Sequence, residues 1–168
     1  SLLALRNYIF IFIIAGGLHW WFSIYKGQAN QFRYDTQKRN NTNKIFTFDN
    51  NIYDNMFWTL VSGVTQWSTM QCLIFWAIAN GYAPEFLFPD NVIWFFLMFP
   101  FLIFWASFHF YWIHRALHWP PLYRIAHAVH HRNVNIGPWS GISMHPLEHL
   151  LFYSNFLIHF IIPSHPLH

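Results

Sequence analysis

Seven of the chain's twelve histidines fall within 36 residues, at spacings typical of metal ligands. They form three groups: box 1 (residues 114–118, HRALH), box 2 (residues 127–131, HAVHH) and the 145–149 group (HPLEH). Imidazole is the commonest side-chain metal ligand near neutral pH. Because strongly apolar segments flank this region, it predicts a multi-histidine metal site that carries out redox chemistry on a lipid.

The spacing within each group suits a helix that presents imidazoles on one face. Residues four apart lie one turn apart on the same face. Box 1 and the 145–149 group each have this spacing, and box 2 places three histidines within roughly 100° of arc. The predicted metal ligands are His114, His118, His127, His130, His131, His145 and His149.

Two further points about the site follow from the same residues. Glu148 has two interpretations, since it can hydrogen-bond a ligand imidazole or lie at the positive N-terminus of the last helix. Two metals with four or more nitrogens each need more ligands than boxes 1 and 2 supply. We expect no catalytic residue beyond the metal ligands, and we expect His19 and His159 to be structural.

The composition indicates an integral membrane protein. Of 168 residues, 55% are hydrophobic, 23% are aromatic and only 9% are charged, whereas soluble domains have about 25% charged residues. The net charge of +3 is too small to indicate nucleic-acid binding. The single cysteine, Cys72, excludes an intrachain disulfide.

Four apolar segments predict an all-α polytopic membrane protein with about four transmembrane helices. They are Tyr8–Tyr25, Met56–Tyr82, Val92–Ile113 and Leu147–Ile162. Residues 1–168 then form a single membrane domain: transmembrane helices and loops in 1–113, a histidine-rich metal-binding region in 114–149, and the fourth apolar helix in 147–163. Polar and small residues in the second segment are predicted to face other helices.

The distribution of Lys and Arg among the loops predicts the orientation of the chain in the membrane. The link from Lys26 to Asn55 contains five Lys and Arg residues, the link from Ala83 to Asn91 contains none, and the histidine-rich region contains Arg115, Arg124 and Arg132. Because positively charged loops stay cytoplasmic, the 26–55 link and the histidine-rich region should form one cytoplasmic side. The membrane is either the bacterial inner membrane or the endoplasmic reticulum.

Prolines divide the histidine-rich region into helices. Trp119-Pro120-Pro121 should end the helix of box 1, and Pro121 can lie in the first turn of a short helix that runs to about Arg132. Residues 133–143 are rich in glycine and asparagine and predict a loop. Pro146 is a favourable first-turn residue for the last helix, while Pro100 should kink the third.

The motif sequence resembles a known family. Residues 110–118 read FYWIHRALH, residues 122–123 read LY, and residues 127–131 read HAVHH. This pattern, over about residues 105–150, resembles the fatty acid hydroxylase superfamily, which includes sterol desaturases and fatty acid 2-hydroxylases. The resemblance implies a four-helix membrane bundle with a cytoplasmic cap, two iron ions, O2 and externally supplied electrons. It also implies that His114, His118, His127, His130 and His131 are ligands.

The sequence departs from the family pattern at two places. Members usually have an acidic residue seven places before the His-Arg pair, where this chain has Ser107. A later H-x-x-H-H box is absent as far as His168. We expect the chain to be truncated at both ends, with residues beyond His168 completing the site.

The leading hypothesis is a di-iron oxygenase that hydroxylates or desaturates a lipid such as a sterol or fatty acyl chain. Zinc can replace iron in an all-nitrogen site during purification. A cytochrome- or ferredoxin-type electron donor is predicted to dock near Arg124 and Arg132. The alternative is a catalytically degenerate relative that serves as a structural or lipid-binding subunit of a larger complex. A zinc hydrolase or a metal transporter fits less well.

Overall fold

The computed structural model describes residues 1–27 and 41–168, and this part of the chain contains helices and loops but no β-strand. The three long helices are α1 (Leu2–Ile24), α2 (residues 51–79) and α3 (Val92–Leu117). They are followed by α4 (residues 120–131) and α5 (Pro146–Tyr153), which a 3-10 helix (Ser154–Phe160) continues. The all-α prediction is confirmed for these residues.

Side chains at the helix ends explain where the helices begin. Asn50 caps α2, because its side-chain oxygen accepts hydrogen bonds from the backbone N–H groups of Ile52 and Tyr53. This helix therefore begins at Asn51, before the apolar segment that predicted it. Asn91 caps α3 through the N–H of Trp94. The helix continues past the predicted end at Ile113 and runs through Pro100 without a break.

Two of these helices are long and apolar enough to cross a membrane, among the residues described. They are α1, with 23 residues, and α3, with 26. Both expose most of their apolar side chains, as expected of helices that face lipid. Polar residues interrupt α2, and α5 is α-helical for only 8 residues. The four-span count therefore stays a prediction.

Polar side chains join α1 to α2. Asn7 is buried in this contact, and its amide donates to Ser68 at 3.1 Å and to Gln71 at 2.7 Å. Tyr8 donates to the carbonyl of Leu60 at 2.9 Å. These bonds confirm that polar residues of the second segment face a neighbouring helix, where they replace the hydrogen bonds that lipid cannot provide.

A glycine in α2 lets the 133–145 loop and α5 approach the helix closely. A Cβ added at Gly63 would lie 3.0 Å from the carbonyl oxygen of Ile142 and 3.2 Å from Nε2 of His149. Near this contact, Thr59 donates to the carbonyl of Trp139 at 2.6 Å. The middle of α2 is thus the wall against which the loop and α5 pack.

The loops lie at two opposite ends of the long helices. At one end lies Arg132, which follows box 2. It contacts Ile45 and Thr47 in the link between α1 and α2, and Asp54 in the first turn of α2. At the other end, the 83–91 loop meets the last residues through a Phe86 N–H bond to Ser164. The described part of the 26–55 link and the histidine-rich region therefore share one end. Arg33, Lys38 and Arg39 of that link lie outside the described residues.

Candidate metal centre

Four histidines of boxes 1 and 2 converge at the turn between α3 and α4. One ring nitrogen from each of them lies within 4.8 Å of the corresponding nitrogen of the others. Within this cluster, Nε2 of His118 is 3.1 Å from Nε2 of His114, and Nε2 of His131 is 2.9 Å from Nε2 of His127. Throughout, "the histidine cluster" means His114, His118, His127 and His131.

The prolines predicted to divide the region produce this geometry. His118 is the C-terminal cap of α3, and Trp119 adopts an extended backbone before α4 begins at Pro120. Proline cannot continue α3, but its fixed φ suits the first turn of a new helix. The chain therefore turns sharply, and α4 brings box 2 back over box 1.

A buried carboxyl group orients one member of the histidine cluster. Nδ1 of His127 lies 2.8 Å from Oε1 of Glu148, and neither side chain is exposed by more than 4%. When His127 donates its Nδ1–H to Glu148, the lone pair of Nε2 points into the cluster. An imidazole that binds a metal through one nitrogen and a carboxylate through the other is a common arrangement in metalloproteins.

Burial lowers the pKa of two imidazoles on α4 and so favours their uncharged form. Burial, with a smaller contribution from the neighbouring histidines, lowers the pKa of His127 to about 3. The same causes lower the pKa of His131. Because His127 is therefore neutral, its contact with Glu148 is a hydrogen bond and not a charged pair. Neutral imidazoles are the form that binds metal.

The comparison with known proteins places this segment in a family. Residues 99–168 match the family model described as fatty acid hydroxylase. A Delta(7)-sterol 5(6)-desaturase of Aspergillus fumigatus is 33% identical over 78 residues, which is 45% of this chain and 23% of the relative. A desaturase of the same name from Leptosphaeria maculans is 34% identical over 40% of this chain and 18% of the relative. Another from Candida albicans is 33% identical over 34% of this chain and 14% of the relative.

Residues 99–168 are thus similar to the fatty acid hydroxylase/sterol desaturase superfamily. The aligned segment spans less than a quarter of the length of these curated relatives. No solved structure matches the chain. The resemblance seen in residues 105–150 is therefore confirmed at the level of the family.

Three of the predicted ligands lie outside the histidine cluster. His130 stacks against His127 with ring centroids 5.8 Å apart, and its Nδ1 is buried without a hydrogen-bond partner. His145 caps α5, since its Nδ1 accepts the N–H of Leu147 at 3.2 Å. A ligand role for His130 and His145 stays a prediction.

His149 is completely buried and uses both ring nitrogens within the protein. Its Nδ1 lies 2.7 Å from the hydroxyl of Ser62, and its Nε2 lies 3.1 Å from the carbonyl oxygen of Ile142. Because a carbonyl only accepts, Nε2 carries the proton and Nδ1 accepts from Ser62. In this arrangement His149 connects α2, the 133–145 loop and α5.

Other histidines also have protein partners. Nε2 of His109 contacts the Ser154 hydroxyl at 3.0 Å, away from the histidine cluster, and its Nδ1 is buried without a partner. His159 is buried and bonds Ser164 at 2.7 Å, as expected of a structural histidine. Ser107, which replaces the usual acidic residue of the family, bonds the backbone of its own helix at Ile103.

Sequence reasoning missed two features of the site. The ring of Tyr123 lies against three imidazoles of the cluster, with centroid distances of 5.9 Å to His118, 5.9 Å to His127 and 5.6 Å to His131. The buried carboxylate of Asp54 forms an ion pair with the partly exposed Arg132 at 2.6 Å. The sequence pattern that could have indicated this ion pair is the spacing of Asn51, Asp54 and Asn55, which places three polar groups on one face of α2.

Proposed function

We propose that the chain forms the metal-binding part of a membrane oxidoreductase that hydroxylates or desaturates a lipid. The observation that carries the proposal is the cluster of four imidazole nitrogens within 4.8 Å, with His127 oriented by Glu148. The match of residues 99–168 to the fatty acid hydroxylase family model and the similarity to sterol desaturases support the same reaction class.

The residues present fit a transition metal. An all-imidazole set suits iron, zinc and copper, whereas carboxylate-rich sets suit calcium and magnesium. The histidine cluster supplies four nitrogens, which is enough for one metal, and we propose that further ligands hold a second. Bound iron would supply the redox chemistry that an unactivated C–H bond requires, with O2 as the oxidant.

The protein's own residues have two roles in this proposal. Glu148 accepts a hydrogen bond from the Nδ1–H of His127 and fixes the tautomer in which Nε2 can bind a metal. Tyr123 packs against the cluster and limits the positions that His118 and His131 can adopt. In hydroxylation, one O2, two electrons and two protons convert a C–H bond to C–OH and release one water. Desaturation consumes the same reactants and releases two waters.

We propose that α1, α3 and two further segments span the membrane, with the histidine cluster at the cytoplasmic side. The apolar surface of α3 ends at box 1, so a lipid lying against α3 can approach the cluster from within the bilayer.

The electron donor is proposed to dock at the end of the helices where the histidine cluster lies. Arg132 already forms an ion pair with Asp54. We therefore propose that the exposed Arg124 provides the positive charge that binds the electron donor. Unchanged donor affinity and turnover in Arg124→Glu would exclude this assignment.

The position of Glu148 argues against a zinc hydrolase. Such an enzyme needs a carboxylate beside the metal to activate water, as in H-E-x-x-H motifs. Glu148 contacts Nδ1 of His127, on the opposite side of the ring from the clustered nitrogens. It is therefore suited to orient a ligand.

The test combines metal content with lipid-dependent O2 consumption. Purified native-length protein would be stripped with chelator and reloaded with Fe²⁺ under anaerobic conditions. Its metal content per chain would then be measured, followed by O2 consumption with electron donor and candidate sterols or fatty acyl lipids. We expect about two irons per chain and product with a new hydroxyl or double bond. Failure to retain any metal with the histidines intact would favour the alternative of a structural or lipid-binding subunit.

A further inference from the structure

The helix that carries box 2 is held at its C-terminal end by a buried polar cluster on α2. Asp54, which is 1% exposed, accepts hydrogen bonds from Arg132 at 2.6 Å, from the Thr47 N–H at 2.9 Å and from the Trp58 indole at 3.2 Å. The guanidinium of Arg132 also donates to the carbonyl of Ile45 at 3.0 Å and to the Thr47 hydroxyl at 3.1 Å.

The next residue is held by the same face of α2. The side-chain oxygen of Asn133 accepts from the amides of Asn51 at 2.9 Å and Asn55 at 3.1 Å, and both donors are 2% exposed. Asn55 also donates to Asn51 at 3.2 Å. We use "the α2 clamp" for Asn51, Asp54 and Asn55 with Arg132 and Asn133.

The clamp lies at the C-terminal end of α4, next to His131. His127 is fixed by Glu148. His131 is exposed, and it contacts other imidazoles and the ring of Tyr123. Its position therefore depends on where the backbone of residues 128–132 lies. The clamp holds that backbone from the residues immediately after His131.

We infer that Asp54 and Arg132 are positioning residues of the metal centre, which act through the backbone of α4 and touch no metal. This inference rests on the proposed metal-binding function. A buried carboxylate that accepts three hydrogen bonds resists displacement, because any movement leaves a buried charge or donor unpaired. Ligand groups must be held to within about 0.5 Å for tight binding, so loss of the clamp should weaken the site without removing a ligand.

The test compares Asp54→Asn with Asp49→Asn in the full chain. Both substitutions remove one carboxylate charge. Asp49 is exposed on the same link and has a positive φ of 53°, which asparagine tolerates. Co²⁺ would be titrated into chelator-treated protein, with its visible absorption spectrum as the readout. We expect at least a tenfold weaker affinity and an altered spectrum for Asp54→Asn, and wild-type behaviour for Asp49→Asn.

Two further variants separate positioning from general destabilisation. Arg132→Lys keeps the charge but cannot span Ile45, Thr47 and Asp54 together, so we expect an intermediate affinity. Lys44→Gln, which changes the charge at an exposed position of the same link, should have no effect. Combining Asp54→Asn with Arg132→Gln removes both charges and should recover part of the affinity that Asp54→Asn loses, because no buried charge then remains unpaired.

Hydrogen exchange tests the clamp independently of metal binding. In metal-free protein, the amides of Ala128–His131 should exchange faster in Asp54→Asn than in Asp49→Asn. Equal exchange rates, or an unchanged Co²⁺ affinity and spectrum in Asp54→Asn, would refute the proposed positioning role of the α2 clamp. Wild-type protein that binds no Co²⁺ would contradict the proposed function, and the exchange measurement would still decide whether the clamp positions α4.

Discussion

His127 and Glu148 are joined by a buried hydrogen bond of 2.8 Å, although 21 residues separate them in the chain. The bond links α4 to the first turn of α5 and directs Nε2 of His127 towards the other three imidazoles of the histidine cluster. Glu148 therefore fulfils both of its predicted roles, since it lies at the N-terminus of a helix and hydrogen-bonds an imidazole of the cluster.

Replacing Glu148 with glutamine should weaken metal binding without abolishing it. Glutamine keeps the size of the side chain but accepts a weaker hydrogen bond from His127, so the imidazole is less firmly oriented. The expected loss of affinity is roughly 10–100-fold, measured by Zn²⁺ competition with a chromophoric chelator. Glu85→Gln, at an exposed position on the opposite end, is the control. Equal Zn²⁺ affinities in the two variants would show that Glu148 does not contribute to metal binding.

Removing an imidazole of the histidine cluster should cost more than removing Glu148. His131→Ala deletes one of four converging nitrogens, and because His131 is exposed the fold should survive the change. We expect a loss of affinity beyond the roughly 100-fold that an outer hydrogen-bond partner costs. The same chelator competition measures it, with His165→Ala at the opposite end as control. Retention of tight binding by His131→Ala would mean that the metal lies elsewhere.

Glycine-to-alanine changes should have opposite effects at two positions. A Cβ at Gly63 would meet the Ile142 carbonyl oxygen at 3.0 Å, so Gly63→Ala must push the 133–145 loop away from α2. We expect a destabilisation of about 1–3 kcal/mol. No atom lies within 4 Å of a Cβ at Gly17, so Gly17→Ala should stabilise α1 by about 0.5–1 kcal/mol. Thermal unfolding in detergent compares them, and a lower melting temperature for Gly17→Ala would contradict this account.

Much of the fold and part of the site followed from the sequence. The apolar segments predicted α1 and α3 because a helix of about twenty apolar residues is recognisable from composition alone. Trp119-Pro120-Pro121 predicted the turn between boxes 1 and 2, since the restriction that proline imposes is local. The i, i+4 spacing identified all four members of the histidine cluster, because that spacing places side chains on one helical face whatever the rest of the chain does.

Only the tertiary structure decided which of the equally spaced histidines come together. His145 and His149 have the same spacing as His114 and His118, but one caps a helix and the other bonds Ser62 and Ile142. The partners come from residues such as Ser62, 87 positions away, and spacing carries no information about contacts at that range. The pairing of Asp54 with Arg132 arises in the same way, because the tertiary structure, and not a local motif, brings two charges 78 positions apart to 2.6 Å.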